Sequence, residues 1–292
     1  MKQTVARSLA VAVLLSIATA LAGQTVDFAA AYRGGSSSCS TTYSIKGVEP
    51  SMPGRYPVFF YMVGTSEAYD NASAMAAIRN MAGRGYVAAT VQYPNGTFGG
   101  CSTLGSRAKC IFNGASASSA VATICSRANA DCSKGIAVAG FSQGSVLAIL
   151  AKNYEARVRA AYGLGAGVQY SFYDLRACVA DGKRTLTSDR LRAVNGEVDG
   201  FTGSSPSGVR SQLQQLTGLT CTTASTSCFR ANNSGWYMVS GFETDDGTAD
   251  HCYMRVGGCG NNNQNMLDTA WRSTFLWSLD TNLQWLTGFT EH

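Results

Sequence analysis

Four consecutive apolar residues at 136–139 (IAVA) run directly into Gly140-Phe141-Ser142-Gln143-Gly144, and a second apolar run, 146–150 (VLAIL), begins after Ser145. That order predicts a buried strand turning sharply into a helix, with a serine at the apex of the turn. The apex residue must take backbone angles that L-residues avoid. Side chains at 140 and 144 would crowd the crossing of strand and helix, which is why glycine is expected at both. The turn exposes the Ser142 hydroxyl and leaves the backbone N–H of Gln143 free at the helix start, where a developing oxyanion is stabilised. In a chain with 32 glycines the pentapeptide alone is a weak signal, and the strand and helix around it give it weight.

The same alternation recurs on both sides. Residues 58–63 (VFFYMV), 86–93 (YVAATVQY), 158–162 and 191–194 read as strands, and residues 72–81 and 116–129 as helices. Strands alternating with helices predict an α/β fold with a mostly parallel central sheet flanked by helices, because parallel strands buried on both faces carry continuous apolar runs. Residues 23–55, rich in glycine and serine, are expected to hold an early strand or hairpin, and 95–114 a long loop. Residues 168–188 read as an insertion able to cap the sheet. Met266, Trp271, Phe275, Leu279 and Leu283 stand at helical spacing and predict one long helix over 266–286 packed in the core.

Lys2 and Arg7 precede an apolar run over 9–21, and Ala20-Leu21-Ala22 offers an A-x-A cleavage pattern. Residues 1–22 are therefore expected to be a secretory signal peptide, cut after Ala22 or Ala20. The competing reading, an uncleaved anchor, needs a longer run, since a spanning helix takes about 20 apolar residues. Residues 23–292 suffice for a single α/β domain, with no repeat or linker in view. Without Lys2 and Arg7 the 23 basic residues become 21 against 18 acidic, a net charge of +3. That balance gives no reason to expect nucleic acid or a membrane surface as partner.

Ten cysteines follow the expected signal peptide, with no C-x-x-C pair and only two histidines in the chain. A metal site is not expected, and disulfides are the natural state of a secreted chain. Spacing suggests Cys101–Cys110, Cys125–Cys132, Cys221–Cys228 and Cys252–Cys259, leaving Cys39–Cys178 as a long-range bridge.

A serine hydroxyl needs a base within hydrogen-bond reach, and the base needs an orienting carboxylate. His292 is the last residue, which leaves His251, on a polar loop beside Cys252. The acid is expected in 195–200 (NGEVDG), after the strand at 191–194 and between serine and histidine in order. Asp199 is the first choice and Glu197 its rival. Asp245, Asp246 and Asp250 lie closer to His251 in sequence and read as a solvated acidic loop.

Strand, elbow and helix, the Gly196-x-x-Asp199 loop and a late histidine together resemble the α/β-hydrolase superfamily of secreted esterases, over about residues 55–287. Gly140-Phe141-Ser142-Gln143-Gly144 is similar to the elbow of cutinases and acyl-protein thioesterases. The chain departs from cutinases in having no cysteines flanking Asp199, and from many lipases in carrying Val63-Gly64-Thr65 where they carry His-Gly. The resemblance implies a disulfide-stapled α/β-hydrolase fold and cleavage of a small or polymeric carboxylic ester through an acyl-enzyme. In that scheme Ser142 attacks, His251 moves the proton and Asp199 orients the ring. The oxyanion is held by the N–H of Gln143 and that of Thr65, with Ser66 the alternative. No cofactor is implied, and the protein is expected to be a monomer. Phe141, Tyr61, Trp236 and Tyr237 are candidates for an apolar acyl site. A lipase, polyester hydrolase or peptidase of the same fold, or a non-catalytic binding protein built on it, are the other readings. Asn71-Ala72-Ser73, Asn95-Gly96-Thr97 and Asn232-Asn233-Ser234 match the N-glycosylation pattern.

Overall fold

The computed structural model describes residues 23–34, 39–261 and 263–292, so the expected signal peptide, 1–22, lies outside the described residues. The early segment forms the antiparallel hairpin β1 (Thr25–Tyr32) and β2 (Tyr43–Pro50). Next come β3 (Val58–Met62), α1 (Ala72–Gly83), β4 (Val87–Val91), α2 (Cys101–Phe112) and α3 (Ala120–Cys125). The elbow follows as β5 (Ile136–Phe141) and α4 (Gln143–Leu150), then β6 (Val158–Leu164). A short hairpin, β7 (Gln169–Tyr170) and β8 (Tyr173–Asp174), leads through α5 (Arg176–Val179) to β9 (Leu191–Gly196). The chain ends with α6 (Pro206–Thr217), β10 (Ser227–Phe229), β11 (Gly235–Val239) and α7 (Leu279–Thr287).

Nine strands pair in the order β1-β2-β4-β3-β5-β6-β9-β11-β10. The six from β4 to β11 are parallel; at the edges β2 and β10 run against them, and β1 pairs antiparallel with β2. Every residue of β3, β4, β5 and β9 is buried, as continuous apolar runs require when helices cover both faces of a sheet. α4 packs on β5, β6 and α2, while α1 packs on β4 and α7. Among the described residues, no helix is long and apolar enough to cross a membrane.

Three expectations need correction. The stretch 95–114 is not a loop, since α2 occupies 101–112. Serine, threonine and Gly105 give it poor intrinsic propensity, but Leu104, Arg107, Ala108 and Ile111 at helical spacing are buried, and packing overrides propensity. The helix expected over 116–129 contracts to α3, capped by Ser119, whose side chain accepts from the Ala122 N–H. The long helix expected over 266–286 survives only as α7. Upstream, the Asp268 carboxylate takes the Trp271 N–H at 2.9 Å and Asp245 takes the Thr269 N–H at 2.6 Å. Such side-chain bonds to the backbone displace helical ones. Trp271, Leu279 and Leu283 reach the core, whereas Met266 and Phe275 are exposed.

The disulfides are Cys39–Cys110, Cys101–Cys178, Cys125–Cys132, Cys221–Cys228 and Cys252–Cys259. The expected pairs Cys101–Cys110 and Cys39–Cys178 are therefore exchanged. Cys101 and Cys110 both sit on α2, nine residues apart, which at 1.5 Å per residue separates them by roughly 13 Å. A disulfide spans no more than about 7 Å between Cα atoms. The helix unseen in the sequence is thus the reason the spacing misled.

Candidate active site

The carboxyl ends of four parallel strands meet at one edge of the sheet, where open α/β sheets offer their crevice. β3 delivers Thr65, β5 delivers Ser142, β9 delivers Asp199, and the long segment after β11 returns His251. Ser142 has φ 52° and ψ −118°, a conformation costly to an L-residue. A Cβ at Gly144 would collide with the carbonyl oxygens of Met62 and Val63, and one at Gly140 with the Gly144 backbone. Those glycines are what let strand and helix cross closely enough to strain the serine between them.

His251 Nδ1 lies 2.7 Å from Asp199 Oδ2. The other carboxylate oxygen, Oδ1, accepts the N–H groups of Phe201 at 2.9 Å and Thr202 at 3.0 Å. Burial pushes the Asp199 carboxyl up, but the facing His251 and these hydrogen bonds outweigh it and hold it below the usual carboxylate range. As an ionised carboxylate can only accept, the Nδ1 beside it carries a proton. The His251 Nε2 is buried and bonded to no protein group. The ring is flanked by Phe141 and Phe201, with centroids at 4.9 and 4.8 Å, and met edge-on by Tyr170. A Cβ at Gly196 would strike the carbonyls of Ala249 and Asp250, so glycine there allows the histidine loop to lie against the acid loop.

Ser142, His251 and Thr65 line one cavity of about 450 Å³, together with Phe98, Phe141, Tyr170, Phe172, Tyr173 and Phe201. Of the residues expected to form an apolar acyl site, only Phe141 lines it. Tyr61 and Trp236 are buried in the core, and the Tyr237 hydroxyl is bonded to Glu243. The insertion at 168–188 supplies Tyr170, Phe172 and Tyr173 to the cavity wall.

The rival acids are engaged elsewhere. Glu197 Oε1 accepts the Gly241 N–H at 2.7 Å and the Ser240 hydroxyl at 3.1 Å. Asp250 accepts the N–H groups of Cys252 and Cys259, and so braces the disulfide loop behind His251. Asp250, Cys252 and Cys259 are the one grouping of potential metal ligands among the described residues, and both sulfurs are committed to their disulfide.

Both expected oxyanion donors border the cavity edge of the sheet. Gln143 opens α4, where a first-turn N–H has no acceptor within the helix. Ser66 donates its N–H to the Asn95 carbonyl at 2.9 Å, which removes it as the alternative to Thr65. Several contributors had no signature in the sequence. The Gln143 side chain donates to Thr65 Oγ1 at 2.9 Å and accepts from Arg107 at 2.8 Å, tying α2 to the Thr65 loop. The Tyr170 hydroxyl donates to the Gly165 carbonyl at 2.6 Å and lies 3.1 Å from Ser145 Oγ. Asn71 and Asn95, which match the glycosylation pattern, use their side-chain amides inside the fold. Asn71 caps α1, and Asn95 donates to the Gly64 carbonyl at 2.8 Å.

No protein-family profile and no curated protein sequence matches the chain. Solved structures do resemble it. An esterase from the fungus Rhizomucor miehei aligns over 91% of this chain and 84% of its own at 13% identity, with a TM-score of 0.51. A hypothetical protein from Pseudomonas aeruginosa aligns over 57% of this chain and 49% of its own, at 16% identity and a TM-score of 0.39. Esterase Est22 aligns over 49% and 45%, at 19% identity and 0.37. The chain thus spans about half the length of these last two. At 13% identity the likeness to the fungal esterase is one of fold, and the class it defines is a mixed α/β fold with a mostly parallel central sheet flanked by helices.

Proposed function

We propose that the protein is a secreted serine hydrolase that cleaves carboxylic esters through an acyl-enzyme, with Ser142, His251 and Asp199 as its triad. The observation that carries this reading is the buried His251–Asp199 pair in the wall of the cavity that the strained Ser142 also lines. Ser142 Oγ attacks the ester carbonyl carbon as its proton passes to His251 Nε2. The imidazolium that forms is stabilised by Asp199. The carbonyl oxygen becomes an oxyanion facing the N–H groups of Gln143 and Thr65. Collapse breaks the ester bond, and the leaving alkoxide takes the proton from His251. Water then enters, gives a proton to His251 and releases the acid, and the proton returns to Ser142. The aromatic lining favours esters with an apolar acyl or alcohol group.

A fluorophosphonate probe tests the reading on the wild type, Ser142→Ala and His251→Ala. Labelling of the wild type alone is expected, with p-nitrophenyl butyrate hydrolysis lost in both variants. An unlabelled wild type favours the non-catalytic binding protein, and equal labelling of Ser142→Ala rejects Ser142 as the nucleophile.

A further inference from the structure

In the wall of the same cavity, Arg255 and Glu67 form an ion pair whose side chains are only 5% and 6% exposed, on segments 188 residues apart in sequence. Burying two charges is expensive, and such a pair often contributes little to stability compared with an apolar one of the same volume. Its contacts point to a different role. Glu67 Oε2 accepts the Gly64 N–H at 2.8 Å, immediately before Thr65, and is also met by the Asn71 amide at 3.3 Å. The Asn95 amide then grips the Gly64 carbonyl at 2.8 Å and the Glu67 carbonyl at 2.9 Å. The peptide between Gly64 and Thr65 is planar and trans, so fixing its carbonyl also fixes the Thr65 N–H, which points the opposite way. Arg255 lies four residues beyond His251, past the disulfide-bonded Cys252, with its guanidinium 5.4 Å from the Phe141 ring centroid.

We infer that Glu67 and Arg255 are positioning residues. Their pairing locks the Gly64–Thr65 peptide to the histidine loop, so that the oxyanion donor and the base keep one geometry through the reaction. In the proposed scheme neither forms or breaks a bond, although both line the cavity. The inference rests on the ester-hydrolase reading and adds to it the device that couples its two halves.

The test uses the full mature chain and three variants: Glu67→Gln, the charge-free Glu67→Gln/Arg255→Met, and Asn95→Ala, which keeps the ion pair but frees the Gly64 carbonyl. Kinetics with p-nitrophenyl butyrate, inhibition by phenylboronic acid and the melting temperature are measured for each. The boronate's tetrahedral adduct places an oxygen where the oxyanion forms, so it reports on the donors directly. In Glu67→Gln and the double variant kcat is expected to fall about 10- to 100-fold with KM within about twofold, boronate affinity falling by the same factor. Asn95→Ala is expected to repeat that pattern at about 10-fold. A purely structural pair would lower the melting temperature and leave kcat of the folded enzyme unchanged. A folded double variant with wild-type kcat and boronate affinity overturns the inference. If that variant does not fold, wild-type kcat and boronate affinity in folded Glu67→Gln overturn it equally. A wild type that neither hydrolyses the ester nor labels at Ser142 removes the parent reading and this one together, an outcome distinct from an active enzyme indifferent to the pair.

Discussion

Ser142 stores strain that its neighbours maintain. Residues in such backbone regions cost about 1–3 kcal/mol each. Ser142→Gly is therefore expected to lose all ester hydrolysis yet melt no lower than Ser142→Ala, because glycine relieves the strain and alanine keeps it. Differential scanning calorimetry of the two variants checks this, and a lower melting point for glycine refutes the account. Asp199 makes a prediction about pH. Its carboxyl is held below the ordinary range in the fold, whereas in the unfolded chain it titrates near about 3.9. Its contribution to stability is thus complete above that value and drains away as pH falls through the lower folded value. Acid unfolding of Asp199→Asn should be less steep below about pH 4 than that of the wild type. The same variant should lose on the order of 10³- to 10⁴-fold in kcat at neutral pH, since an amide no longer enforces the Nδ1–H tautomer. Equal acid slopes, or a kcat close to wild type, would count against Asp199 as the orienting acid.

At the scale of elements, the strand–elbow–helix unit tolerates no side chain at its crossing. Gly144→Ala puts a methyl into the backbone of β3, and overpacking of that kind is expected to cost about 3 kcal/mol or more, read as a fall in melting temperature or as insoluble protein. The disulfides divide by span. Cys101–Cys178 closes a loop of 77 residues and Cys125–Cys132 one of 7. On chain-entropy grounds they are worth about 4.5 and about 2.5 kcal/mol. Replacing the first pair by alanines should therefore lower the melting temperature more than replacing the second, and the reverse order would mean that native-state strain outweighs loop entropy. Elements with strong apolar periodicity, such as β3, β4, β5 and α4, were legible in the sequence. α2 was not, because serine, threonine and glycine hide a four-residue buried stripe. Nor was the break before α7, which depends on carboxylates of Asp245 and Asp268 reaching backbone groups that a periodicity reading cannot see.

On the whole molecule, the cavity mouth is aromatic and exposed. Phe172, at the tip of the β7–β8 hairpin, is 99% exposed, and Phe201 is half-exposed beside His251. Exposed apolar groups around a cleft mark surfaces that meet a ligand. Phe172→Ser should leave p-nitrophenyl acetate turnover within about twofold of wild type and raise KM for long-chain or aryl esters about 5-fold or more, roughly the 1 kcal/mol expected for part of one apolar side chain. Equal effects on short and long esters would place Phe172 outside the substrate path. The hairpin is held near the site by Cys101–Cys178 and by the stacking of Phe98 on Tyr170 and Tyr173, with centroids at 4.7 and 5.4 Å.

By itself the sequence determined the alternation of strands and helices, the glycine-flanked turn that strains Ser142, and the order serine, acid, histidine. These are properties of neighbouring residues, and local sterics and burial suffice to read them. Only the tertiary structure decided which carboxylate faces His251, since Glu197 and Asp199 differ by two positions in the chain and point to different partners. It also decided the exchange of the two long-range disulfides, the aromatic walls of the cavity and the joining of Glu67 to Arg255. Each of these depends on which distant segments the sheet brings to its carboxyl edge, and a chain read in order carries no measure of that distance.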